Sequence, residues 1–338
     1  MKLAILAAAA MVALMPMASI AQQAMVPGPI VEPGAKLEVV FDKGYWLEGP
    51  AAGPDGRLYF SDITMTFATD MGAGAIWVHD PATGGTTVFR SPSGMSNGIK
   101  FDRAGGMIVA QGADFGGRQL IRTDPATGLS RIVAGLYNGR PFNSPNDLDI
   151  DARGRIYFTD PRYFGYEPIE QPVFGVYRID TDGKVDLIAA DATRPNGIAV
   201  APDGRTLYVA DNDIGTSDIR LRAKGIPMQI GEMRIIAYDL DDKGNVARPR
   251  VFVDYGHEPG ADGITVDRDG NLYAAVQLPG RFGVRVYDPV GKEIATVPTP
   301  RFPTNLALLT REGKTSLYVT AGTTLYRIAT RIPARRYD

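Results

Sequence analysis

Apolar residues in this chain recur in short alternating runs, each separated from the next by a polar turn that usually contains glycine. One unit shows the pattern in full: Ile198-Ala199-Val200 alternates, Pro202-Asp203-Gly204-Arg205 turns, and Leu207-Tyr208-Val209 returns. Period-two alternation marks a strand, and glycine late in the turn supplies the positive φ a hairpin needs. The unit therefore reads as a β-hairpin whose turn aspartate is structural. Six copies are legible, each headed by a residue with a side-chain oxygen: Glu48, Asn97, Asn146, Asn196, Asp262 and Asn305. Successive heads lie 49, 49, 50, 66 and 43 residues apart. That spacing predicts an all-β fold, a six-bladed β-propeller with one blade per repeat.

Two further strand-like runs follow each hairpin, for example 175–180 and 185–189, giving four-stranded blades. The last repeat has only three runs after its head. The run 36–41 is predicted to supply the fourth, closing the ring by pairing the two ends of the chain and removing an exposed sheet edge. The propeller then spans 36–330, with 331–338 as a C-terminal tail. Ahead of it, Pro27, Pro29 and Pro33 make 22–35 read as a flexible tether. Lys2, an apolar run over 3–15 and Ser19-Ile20-Ala21 have the order of a secretory signal, 1–21, cleaved after Ala21. The apolar run is short against the roughly 20 residues that span a bilayer. An exported protein, periplasmic or secreted, with no membrane span after cleavage is the expectation.

Strands that run up and down a blade put the connection before the first strand and the connection between second and third on one face. The six heads begin first strands, so that face carries the site. It also carries the connections 61–74, 111–118, 160–173 and 211–233, of which the last two are long enough to suggest a functional lid. Arg162, Tyr163, Phe164 and Tyr166 give the first of these the makings of a substrate wall.

Composition narrows the chemistry. A net charge of −2 and a pI near 5.8 offer no basic field for nucleic acid. The absence of cysteine excludes disulfides, thiolate nucleophiles and sulfur-ligated zinc. His79 is placed at a surface or strand edge, and His257 in a loop near Asp262. A ring of carboxylate and amide oxygens suits a hard divalent cation that takes six to eight oxygens. Calcium fits best, with Zn2+, Mn2+ or Mg2+ as the other candidates. The turn preference of Asn-Gly and Asp-Gly would account for Asn97 and Asn305 without a metal. It does not account for Glu48, or for Asn146 standing before Asp147.

The pieces Leu47-Glu48-Gly49-Pro50, Asn143-Ser144-Pro145-Asn146-Asp147, Tyr157-Phe158-Thr159-Asp160-Pro161, Arg194-Pro195-Asn196-Gly197, Asp262-Gly263 and Leu317-Tyr318-Val319-Thr320-Ala321 occur in order over the mature chain. In them the chain resembles the senescence-marker-protein/gluconolactonase family, the regucalcin-like propellers. The resemblance implies metal binding by Glu48, Asn196 and Asp262, with Asp262 also catalytic. It implies a metal or substrate contact for Asn146. Asn97, Asn146 and Tyr163 are expected at the substrate, with Asp147 behind Asn146 to orient its amide. Some sugar-lactone members carry an arginine where this chain has Ser144, which weakens the expectation of a densely hydroxylated aldonolactone. The function expected is metal-dependent hydrolysis of a small lactone. A calcium-dependent phosphotriesterase, fluorophosphatase or arylesterase is the alternative enzyme, and a non-catalytic ligand-binding propeller the alternative of another class.

Overall fold

The computed structural model describes residues 24–65, 73–215 and 230–335. The expected signal 1–21, part of the connection 61–74 and most of the connection 211–233 lie outside the described residues. Within them the chain forms six four-stranded antiparallel sheets, plus a two-stranded hairpin of Leu136–Tyr137 with Arg140–Pro141. The innermost strands of the six blades are Leu47–Ala52, Ser96–Phe101, Leu148–Ile150, Pro195–Val200, Ala261–Val266 and Pro303–Arg311. They touch one another around a central axis. These strands are buried almost throughout, whereas the outermost ones, such as Ser130–Ala134 and Val246–Asp254, face solvent with charged side chains. Charge on such edges discourages pairing with another sheet.

The core is divided into six seams, each between two neighbouring blades. Ala51, Tyr59 and Ile76 of the first blade pack on Ile99, Met107 and Val109 of the second. Tyr157 and Val176 of the third pack on Ile198, Val209 and Ile236 of the fourth. The last seam joins Leu309 and Tyr318 to Leu47 and Phe60. Alternate side chains of a strand enter opposite seams, which is how the Leu-Tyr-Val pattern serves both. The repeated tyrosine also fastens the hairpin turn: the hydroxyls of Tyr59, Tyr157 and Tyr273 donate to the turn carboxylates of Asp55, Asp151 and Asp267.

Closure is as the missing strand predicted. Glu38–Phe41 pairs antiparallel with Thr324–Thr330, Glu38 opposite Arg327, and completes the sheet that contains Asn305. Residues 24–35, expected as a flexible tether, are instead docked. Ile30 and Val31 are buried between the fifth and sixth blades, and Val26 exchanges backbone hydrogen bonds with Thr296. The prolines exclude a regular strand, yet two buried aliphatic side chains suffice to hold the segment. The tail is docked too: Ala334 bridges to Asp267, and the Arg335 guanidinium donates to both carboxylate oxygens of Asp149, at 2.7 and 2.8 Å, and to the Val200 carbonyl. These partners lie at the far ends of inner strands, so the tail crosses the face opposite the six heads.

Candidate metal centre

The heads reach the axis because the inner strands are bulged where they start. Register slips occur between Glu48 and Ala51, Ser96 and Ile99, Pro195 and Ile198, Ala261 and Ile264, and Pro303 and Asn305. An extra residue at such a point re-aims a side chain out of the ladder. In the third blade the strand begins later, at Leu148, and Thr159 holds the head by accepting from Asn146 N and donating to Asp147 O. The glycines beside Asn97 and Asn196 serve proximity rather than a turn. A Cβ on Gly197 would lie 2.5 Å from Asp262 O, and one on Gly98 2.5 Å from an Asp147 carboxylate oxygen. Neither has a positive φ. At these positions the inner strand approaches its neighbour so closely that only glycine leaves the room.

Five of the six heads are buried and Asn146 is half-buried. Two of the heads are carboxylates, Glu48 and Asp262, and the Asp147 carboxylate lies close enough to act on both. Burial, then repulsion from Asp262 and Asp147, pushes Glu48 well above the usual carboxylate range. Burial and Asp147 push Asp262 up to about 8, against hydrogen bonds from Gln277 and Asn196. Asp147 is raised by burial as well. The charges acting on Glu48 and Asp262 are all negative, which is the electrostatic signature of a cation site. The Asn97 Oδ1 atom is buried with no hydrogen-bond partner, an unmet acceptor of the kind a hard cation or a substrate hydroxyl would satisfy. No three His, Cys, Asp or Glu groups gather to hold a metal by themselves among the described residues. The donor set is a mixture of carboxylates and amides, as the heads predicted, and it fits a hard divalent ion.

Some roles differ from those expected. Asp147 does not orient Asn146: its oxygens accept from Leu148 N at 2.8 Å and, across the axis, from Asn305 Nδ2 at 3.2 Å. Tyr163 is not a free wall. Its hydroxyl donates to main-chain carbonyls, Asn212 O at 2.9 Å being the nearer, and accepts from Asn196 Nδ2 at 3.1 Å. A donor committed to a carbonyl can take only an N–H in return, so Tyr163 fixes which end of the Asn196 amide faces it. Arg162 is buried and donates to the carbonyls of Asn143 and Glu167, bracing its own loop. His79 is buried beside Thr86, while His257 is exposed.

Two supports were missed in the sequence. Gln277 donates to Asp262 Oδ2 at 2.7 Å and to Pro303 O at 3.0 Å, tying the fifth head to the sixth blade. Asp62, Asp160 and Asp211 end second strands and accept two backbone N–H groups each from the segment that leads into their own inner strand. The recurrence of Phe-Ser-Asp, Phe-Thr-Asp and Val-Ala-Asp after the repeated tyrosine is the signal that marks them.

A propeller with an axial site of oxygen donors, set on bulged inner strands, is the class these features define. Residues 46–219 and 231–323 match the SMP-30/Gluconolactonase/LRE-like region, and the chain belongs to that family. It is 30% identical to the gluconolactonase of Zymomonas mobilis over 89% of this chain and 83% of that one. It is 31% identical to lactonase drp35 of Staphylococcus epidermidis over 77% and 72%. Among solved structures, a gluconolactonase from Xanthomonas campestris superposes with a TM-score of 0.72 at 25% identity, covering 91% of this chain and 98% of that one. The calcium-binding protein regucalcin from Agrobacterium tumefaciens, at 21% identity, TM-score 0.65 and coverage of 89% and 98%, shares the fold.

Proposed function

We propose that the protein hydrolyses a small lactone at the axial site, with one divalent metal ion, calcium by preference, held by Glu48, Asn146, Asn196 and Asp262. The observation that carries the reading is a pair of buried head carboxylates, Glu48 and Asp262, both acted on by Asp147, on a ring of heads that also holds the unmet Asn97 amide oxygen. The lactone-hydrolysing relatives support the substrate class. A cation bound there would offset the repulsion, polarise the ring carbonyl and stabilise negative charge on its oxygen. The chain's own groups do the rest. Gln277 and Asn196 orient the Asp262 carboxylate, which takes the proton of the attacking water. Water oxygen bonds to the carbonyl carbon, the ring C–O bond breaks, and the proton passes to the departing alkoxide. Asn97 supplies an acceptor for a substrate hydroxyl, and Tyr163 keeps the Asn196 amide in one orientation.

The test is a panel of gluconolactone, a pentonolactone, an aromatic lactone and a fluorophosphate, assayed with added calcium, manganese, zinc or magnesium and after chelation. Lactone opening that chelation abolishes is the expected result. Preference for the fluorophosphate, or no turnover with any metal, would overturn the reading. Export rests on the order of residues in 1–21, and an exported product beginning at Gln22 on N-terminal sequencing would bear it out.

A further inference from the structure

Two large aromatic side chains stand exposed on the site face. Phe115 is 67% and Tyr166 50% accessible, and their rings lie 5.9 Å apart at 30°. Phe115 comes from the loop between the second and third strands of blade two, Tyr166 from the corresponding loop of blade three. Phe115 and Asp114 both have φ near +65°, a region that disfavours a side chain.

Specific bonds hold that conformation. Glu167 accepts from Phe115 N at 2.6 Å and from Asp114 N at 3.1 Å, so one carboxylate fills the concavity made by two successive N–H groups. Arg118 donates to the carbonyls of Phe142 and Pro168. Ala113 N donates to Ser144 Oγ at 2.9 Å. The two loops are thereby locked together, and each is rooted at the site. Ser144 is two residues before Asn146, and Tyr163, three before Tyr166, bonds to Asn196. Ser144 is thus spent on anchoring the loop that presents Phe115.

We propose that Phe115 and Tyr166 are the specificity-determining rim of the site and receive an apolar substituent on the lactone ring. This rests on the lactonase reading and adds the substrate class. Covering apolar surface is favourable, and two rigid rings gain it with little loss of side-chain freedom. A substrate clothed in hydroxyls would bring them against the carbon face of Phe115, which offers no hydrogen bond.

The experiment compares kcat/KM for γ-butyrolactone, γ-nonanolactone and glucono-δ-lactone with the metal-loaded wild type, Phe115→Ala, Tyr166→Ala and the double variant. The first two substrates share a ring and differ in an alkyl tail. The wild type should favour γ-nonanolactone over γ-butyrolactone by about tenfold or more, the scale of a few methylenes at a partly open surface. The double variant should collapse that ratio towards one, chiefly through KM, while Phe115→Leu retains most of it. A ratio that survives in the double variant, or glucono-δ-lactone as the better substrate of the wild type, would overturn the proposal and leave the lactonase reading standing. Failure of the wild type to open any lactone would overturn both.

Discussion

Asp262 and Glu48 are both buried carboxylates at bulges, yet their surroundings assign them different work. Gln277 and Asn196 both donate to Asp262, whereas Glu48 receives the N–H of its own neighbour Gly49 and the amide of Asn305. Asp262→Asn keeps a ligand oxygen but cannot take a proton, so turnover should fall by about 10²–10⁴ at saturating metal. Glu48→Gln should be rescued in large part by excess metal. Rate measured against metal concentration separates the two, and rescue of Asp262→Asn would reduce that residue to a ligand. Tyr163→Phe removes the acceptor for Asn196 Nδ2 and should weaken metal affinity by roughly 10–100-fold, read by chelator competition. The same raised carboxyls set a pH dependence. In the metal-free protein they bind protons in the folded state that the unfolded chain has released, between the ordinary carboxylate range and about 8 for Asp262. Stability of the chelated protein should therefore fall as pH rises through that window. Metal must displace those protons, so affinity should rise over the same interval, with proton release detectable by calorimetry in buffers of different ionisation enthalpy.

At the scale of the strand, the repeat was legible because it is local: head, alternation, turn and return fit within about a dozen residues. The bulge was not, since a register slip is a relation between two strands and leaves no mark on either alone. Gln277 escaped notice for the same reason, reaching Asp262 from the adjacent strand, and Asn305 meets Asp147 from 158 residues away. Tyr163 was correctly placed on the site face, but its partner could not be read from its loop. Gly98 and Gly197 look like turn formers in sequence and are spacers in fact. Gly197→Ala should therefore force the inner strand away from Asp262 and destabilise the fold by about 1–3 kcal/mol. Gly204→Ala, in an open hairpin turn with φ +68°, should lose only the smaller penalty of a left-handed conformation, about 1 kcal/mol. Urea titration of the two variants makes the comparison, and equal losses would deny the close approach.

Over the whole molecule, the described segments flanking the propeller, 24–35 and 331–335, are both fastened to the ring. Ile30 is fully buried between the fifth and sixth blades, whereas Val26 of the same segment is 52% exposed. Ile30→Ala should lower unfolding free energy by about 2–5 kcal/mol and Val26→Ala by far less. Indistinguishable denaturation midpoints would mean that the segment is free in solution. Ring closure also has a temporal meaning. Thr304 donates to Leu47 O at 2.6 Å, joining the blade built last to the residue beside Glu48, and the sixth blade requires a strand from each end of the chain. A nascent or clipped chain that has reached only the fifth blade can shape individual hairpins, but its axis stays open and Glu48 and Asp262 have no shared floor. Competence to bind the proposed cation should therefore be an all-or-none property of the finished circle, so the appearance of metal affinity during refolding would time the moment at which the ring closes.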